Sequence, residues 1–221
     1  MRELCWKRFG VTFTSYLSVI DSLADQAAQH GMLLDAGCGP MGFDSGTVGV
    51  DISRENAKMW VQQTSQNKPQ HKKMVVVASI DALPFRNDAF STVLCRDVLE
   101  HLQNKNLAVK ELCRTGRQVI GCTSNLLNAV MLIDTLLPPS IAKHLAKRLT
   151  SIKHYERHGI RFTPATISKA FQAANVKVEI SVLGAPVSRH RLVFMLWSKL
   201  DHLFSRVHIP VGEIILFRAT R

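Results

Sequence analysis

The sequence predicts an α/β fold built on a doubly wound, mostly parallel sheet, and three observations carry that prediction. Short apolar strands alternate with helical patterns between Met32 and Cys122. A glycine-rich turn, Gly37-Cys38-Gly39-Pro40-Met41-Gly42, follows the first strand directly. The second strand ends on a carboxylate, Asp51. At 221 residues the chain has the length of one domain, or of one domain with a cap.

The elements follow in order. Thr12 to Gln29 sets Phe13, Tyr16, Leu17, Ile20, Leu23 and Ala24 at helical spacing, and His30-Gly31 ends the helix. Met32 to Ala36 is a short apolar strand running into the glycine turn, and Val48 to Asp51 is a second. Ser53 is placed to cap a helix from about Arg54 to Ser65. Met74 to Ala78 is continuous and β-branched, which suits a strand buried on both faces. Thr92 to Cys95, a helix from Lys105 to Arg114, and Gln118 to Cys122 complete the alternation.

Beyond Leu126 the pattern changes. Leu126 to Leu137 is strongly apolar, Pro138-Pro139 break it, and Ser140 to Leu149 forms a basic amphipathic helix. Thr163-Pro164 opens a helix over Ala165 to Ala174, followed by a strand from Val176 to Val182. Leu192 to Phe204 is amphipathic, and Glu213 to Ala219 closes the chain as a strand. Residues 125–160 are too few for a core of their own, so they read as a helical cap on one domain. Residues 30–125 then form the ligand-binding half, and residues 161–221 complete the sheet.

Glycines directly after a strand let backbone N–H groups approach a ligand closely. A carboxylate at the next strand end can accept both hydroxyls of a ribose. Together, Gly37 to Gly39 and Asp51 define a nucleoside pocket at the carboxyl edge of the sheet.

On these motifs the chain resembles the class I S-adenosylmethionine-dependent methyltransferases, in particular the type 11 group. The resemblance runs through Leu33 to Gly42, Val48 to Ser53, Ile80 to Phe90 and Asp97 to Leu102, with a looser echo in Arg161-Phe162-Thr163-Pro164. It implies a Rossmann-like fold with a final antiparallel strand, and S-adenosyl-L-methionine as cofactor. By position, Asp35, Gly37, Cys38 and Gly39 would surround its methionine part. Asp51, followed by Ile52, would bind the ribose, and Ser79, Ile80 and Asp81 would meet the adenine. Arg96 would line the methionine end through its backbone. The chain departs from the pattern at Met41, where the group has a third glycine, at Ser79 and Ser91, where it often has Asp, and in a first crossover of only Gly37 to Thr47.

His101 follows the fourth strand and is the candidate catalytic base, since an imidazole titrates near neutrality; the alternative is a histidine packing the helix start. Asp97 either orients the cofactor or caps that helix. His154, Tyr155 and His158 lie in the cap, either lining the acceptor site or at the surface. Five cysteines without CxxC spacing indicate neither a disulfide framework nor a zinc knuckle, and no HExxH spacing occurs, so no metal is expected.

Hydrophobic residues at 46% and charged residues at 20% exclude a disordered chain. No apolar run reaches the roughly 18 residues that span a bilayer, and the start has no signal-peptide pattern. The expected setting is the cytoplasm, with peripheral membrane contact as an extension. Charge is uneven: residues 1–140 carry 14 Lys+Arg against 13 Asp+Glu, whereas residues 141–221 carry 14 against 4. That excess suits an anionic partner or a solvated face. The leading expectation is methyl transfer to a small-molecule or lipid-linked, anionic acceptor. The alternatives are RNA or tRNA methylation and a methyltransferase-like binding protein without catalysis.

Overall fold

The computed structural model describes residues 16–40, 42–43, 48–67, 74–126, 137–138, 140–141, 144, 162–183, 199 and 214–221. Its sheet is built from β1 (Leu33–Ala36), β2 (Val48–Asp51), β3 (Met74–Val77), β4 (Phe90–Arg96), β5 (Gly116–Ser124), β6 (Lys177–Leu183) and β7 (Ile214–Thr220). The spatial order is β3-β2-β1-β4-β5-β7-β6. β1 to β5 pair in parallel, and β7 runs antiparallel between β5 and β6. The order reverses between β1 and β4, so the loops after these two strands part and leave a crevice at their carboxyl ends.

The helices are α1 (Tyr16–Ala28), α2 (Arg54–Asn67), α3 (Lys105–Thr115) and α4 (Pro164–Ala173). α1 packs against β1, β4 and β5, while α3 packs against β4, β5 and α4. Side chains alternate along each strand, and the alternation sorts the core into two layers. Leu33, Leu94, Ile120 and Cys122 face Ile20 and Ala24 of α1. Their neighbours Leu34, Val93, Cys95 and Val119 face Val109, Leu112 and Phe171 on the other side. Each fully buried aliphatic side chain of this kind contributes about 1.5–3 kcal/mol relative to exposure.

Caps fix the helix starts. The Asn104 side chain accepts a hydrogen bond from the Leu107 N–H at 3.1 Å. Thr163 and Thr166 form a reciprocal capping box with Pro164 in the first turn, as the Thr-Pro pair predicts.

One strand differs from expectation. β3 lies at the edge of the sheet, with Met74 60% and Val77 52% exposed, so it is not buried on both faces. A β-branched run records strand propensity, whereas burial depends on how many neighbours the strand acquires.

The first crossover is short, as its length requires, and none of its described residues is helical. Gly42 lies against Trp60 and Asp35, and a Cβ there would collide with the indole. A glycine at 42 in place of 41 thus serves close packing beneath the turn.

The chain leaves the sheet at Asn125 and returns at Phe162, and these two residues pair in a parallel bridge. Leu126 N–H donates to Phe162 O at 2.6 Å across the same junction. Residues 126–161 are therefore an excursion whose two ends meet. Within it, Ser140, Ile141 and His144 are helical. His154, Tyr155 and His158 lie outside the described residues, as do most of the apolar and basic segments placed in the cap and all but Lys199 of the Leu192 to Phe204 segment.

Candidate active site

A cavity of about 640 Å³ opens at the carboxyl ends of β1 to β4, a volume in the range of small-molecule sites. Gly37, Cys38, Gly39 and Pro40 form one wall, and Asp51, Ile52 and Asn56 form the next. Ala78, Ser79 and Ile80 close the β3 side, while Arg96, Asp97, Val98, His101 and Leu102 close the β4 side.

The glycine wall is set by backbone conformation. Gly37 and Gly39 have φ of 81° and 56°, in the left-handed region. The N–H groups of Gly37 and Cys38 both donate to Val50 O, at 2.7 and 2.9 Å, which folds the turn onto β2. A Cβ on Gly37 would collide with the Val98 side chain across the crevice. Glycine at this position therefore keeps both the turn and the cavity open.

Asp51 is 8% exposed and joins the two walls. Its Oδ2 accepts from Gly39 N–H at 2.8 Å, and its Oδ1 accepts from Ser53 N–H at 2.8 Å and from Asn56 Nδ2 at 3.4 Å. A carboxylate offers about four acceptor positions, so this one retains capacity towards the cavity. Asn56, at the start of α2, was not singled out from sequence; its signal is the third position after the Ser53 cap, whose Oγ accepts from Asn56 N–H at 3.2 Å.

Asp35 and Asp81 lie apart from this wall. Asp35 is 1% exposed, sits beneath the turn and accepts from Phe43 N–H at 2.6 Å. It shares the α1 side of the sheet with Leu33, because strand residues two apart point the same way. Asp81 lies in the short turn Ile80–Ala82 and is not among the lining residues, whereas Ser79, just before it, is.

On the β4 side, Asp97 has φ of 51°, an uncommon conformation for a residue with a Cβ. Its N–H donates to Cys122 O at 3.0 Å, and its Oδ1 lies 3.4 Å from Cys122 Sγ. Burial and the neighbouring carboxylate push the Cys122 thiol well above its ordinary pKa, so it remains a protonated donor. Burial likewise raises Cys95 and pushes Cys113 up to about 12, which fits packed, unreactive thiols.

Glu100 is 2% exposed and anchors the turn Leu99–His101 to the end of β5. It accepts from Thr123 Oγ1 at 2.8 Å, Ser124 Oγ at 3.2 Å and Ser124 N–H at 3.3 Å. His101, the next residue, is exposed, lines the cavity, and donates its backbone N–H to Val98 O at 2.9 Å. The turn thus holds an imidazole at the rim over a fixed base.

Residues 34–118 match a family described as "Methyltransferase domain". An uncharacterised protein of Methanocaldococcus jannaschii, MJ0638, is 24% identical over 197 residues, covering 86% of this chain and 78% of that protein. Among solved structures, magnesium protoporphyrin IX methyltransferase of Synechocystis with bound S-adenosylhomocysteine superposes with a TM-score of 0.58 at 15% identity, over 98% of this chain and 92% of that one. Geranyl diphosphate C-methyltransferase of Streptomyces coelicolor gives 0.58 at 14% identity, over 90% of this chain and 78% of that one.

Proposed function

We propose, from the match of residues 34–118 to a methyltransferase-domain family, that this chain is an S-adenosylmethionine-dependent methyltransferase and that it methylates a small-molecule or lipid-linked anionic acceptor. The observation that supports it best is the junction of Gly39 N–H with Asp51 at 2.8 Å, on the rim of a cavity of about 640 Å³. There the glycine backbone and a carboxylate with spare acceptor positions face one small-molecule volume. The residues fit an adenosyl ligand: Asp51 towards ribose hydroxyls, Ile52, Ser79 and Ile80 beside the base, and Gly37, Cys38, Gly39 and Arg96 around the amino-acid end.

When bound, the cofactor supplies a methyl group already activated by a sulfonium. The protein's task is therefore orientation more than activation. Val98 and Leu102 bound the β4 side with apolar surface and exclude water. For an acceptor with an O–H or N–H, a ring nitrogen of His101 takes the proton as the methyl is transferred.

Calorimetry with S-adenosylhomocysteine tests the reading. The wild type binds, and Asp51→Ala loses about 1.5–3 kcal/mol, roughly ten- to hundredfold in affinity. His101→Asn keeps that binding and loses turnover. Unchanged binding by Asp51→Ala would show that the ribose lies elsewhere, and no binding by the wild type would leave a protein without this cofactor.

The acceptor class rests on the sequence of the last third, where 14 Lys+Arg stand against 4 Asp+Glu. Lys143, Lys147, Arg148, Lys153, Arg157 and Arg161 alternate with apolar residues, a composition that suits an amphiphile at a cytoplasmic membrane surface. No described helix is long and apolar enough to cross a membrane. Co-sedimentation should show binding to anionic vesicles that weakens with salt, because charges are screened over about 10 Å at 0.1 M. Indifference to vesicles together with salt-sensitive binding of transfer RNA would replace the lipid acceptor with RNA.

A further inference from the structure

We infer that the Arg96 guanidinium is the receptor for the carboxylate at the amino-acid end of the donor. This rests on the cofactor reading above and adds a side-chain role to a residue expected to contribute only its backbone.

Among the described lining residues Arg96 is the one arginine or lysine, so it carries the permanent positive charge of the cavity wall. It stands at the carboxyl end of β4, two strands across from Asp51 on β2 and so roughly 10 Å away. A nucleoside whose ribose lies on Asp51 and whose amino-acid tail crosses the Gly37 turn ends near this side chain.

The guanidinium is fixed from behind. Arg96 Nη2 lies 3.5 Å from Oδ2 of the buried Asp35, an ion pair beyond good hydrogen-bond length. Its central carbon sits 5.6 Å from the centroid of the Phe43 ring. Arg96 Nη1 donates to Asp21 Oδ1 on α1 at 2.9 Å. A guanidinium has about five N–H donors in a rigid fork. Among the described residues, only the contact with Asp21 is a hydrogen bond. The side chain is 16% exposed and Asp21 is 43% exposed, so the one bonded partner is also the one open to solvent.

This arrangement has the properties of a receptor. Asp35 offsets the cost of holding a cation at low exposure, Phe43 fixes the plane, and the donors that neither Asp35 nor Asp21 takes up are available for a third carboxylate, that of the ligand. The alternative is a brace that only ties α1 to the sheet.

Two ligands separate these roles: S-adenosylhomocysteine, which carries the carboxylate, and 5′-methylthioadenosine, which lacks the amino-acid tail. With the full chain, Arg96→Met is expected to weaken S-adenosylhomocysteine roughly ten- to hundredfold while methylthioadenosine stays within about twofold. Arg96→Lys, which keeps the charge but not the fork, should lower the ratio of the two affinities by an intermediate factor, and it serves if Arg96→Met does not fold. Asp21→Asn should leave S-adenosylhomocysteine binding unchanged or tighter. An equal loss for both ligands would make Arg96 a brace, and no loss for either would remove it from the site. Both results overturn this inference while leaving the cofactor reading intact; a wild type that binds neither ligand overturns both.

Discussion

Arg96 closes the carboxyl end of β4 and Arg114 lies just before the amino end of β5, and the surroundings of these two arginines differ. Arg114 on α3 reaches the loop that follows the Ser79–Ile80 wall. It donates to Phe85 O at 2.6 Å, Leu83 O at 3.0 Å and Asn87 Oδ1 at 3.1 Å, and grips Glu111 with two further hydrogen bonds at 2.7 and 2.8 Å. Glu111 in turn accepts from Leu83 N–H at 3.0 Å. Arg96, beside the glycine turn, makes one hydrogen bond, to Asp21. A guanidinium saturated by two backbone carbonyls, an amide oxygen and a carboxylate holds a loop and has little left for a ligand. One held by charge and a ring face keeps donors in reserve. Chemically identical side chains thus hold a loop in one place and keep unused donors in the other.

The strongest test of this contrast is Arg114→Ala. It strands the Leu83 and Phe85 carbonyls and leaves Glu111 without its partner. The expected cost is about 2–3 kcal/mol, and a melting curve should fall by about 5–10 °C for a chain of this size. A shift as small as that of a surface substitution would show that the loop is held by its apolar contacts, such as the edge-to-face pair Phe85–Phe90.

A smaller effect is expected with pH. Hydrogen bonding by Arg114 holds the Glu111 carboxyl below its ordinary value of 4.5. A depressed folded-state pKa adds stability above the ordinary value, and that stability is lost as pH falls through the depressed one. Asp21 has the opposite sign: burial raises it above 3.8 despite Arg96. Its contribution to folding is fully present below the ordinary value and lost as pH rises through the raised one. Urea titrations between about pH 5 and 3 should therefore show that Glu111→Gln flattens the acid limb. If the acid limb keeps its slope in Glu111→Gln, the clamp is not electrostatic.

The smallest change belongs to Asp21→Asn at neutral pH. Asp21 is 43% exposed, and an ion pair that open is worth about 0–1 kcal/mol. A loss as large as that of Arg114→Ala would mean that Arg96 is as structural as its counterpart, and the contrast would collapse.

Much of this site was legible in the chain. The left-handed glycines after β1 and the carboxylate closing β2 are local features, and the structure places both on one cavity. The capping residues Ser53 and Thr163 act on N–H groups three residues downstream, so spacing alone identifies them, whereas the Asn104 cap emerged only from the structure. Less legible was which of several acidic residues faces the cavity. Asp35 is the penultimate residue of β1 and Asp51 the last of β2, and both lie in resembling motifs, yet Asp35 supports the turn from below. Val98 and Leu102 carry no chemical signal in sequence, and they enter the cavity because the turn after β4 folds over it.

By itself, then, the sequence determined the alternation of strands and helices, the turn after β1, the carboxylate after β2 and the uneven distribution of charge. These depend on periodicity, backbone freedom and composition, which are properties of short stretches of chain. Only the tertiary structure decided that β3 is an edge, that Asp35 is buried while Asp51 meets the cavity, and that Arg96 is backed by Asp35, Phe43 and Asp21. These depend on strand order and on partners up to 75 residues apart in sequence. Hydrophobic burial selects that order for the molecule as a whole, and no local pattern encodes which side chains it will bring face to face.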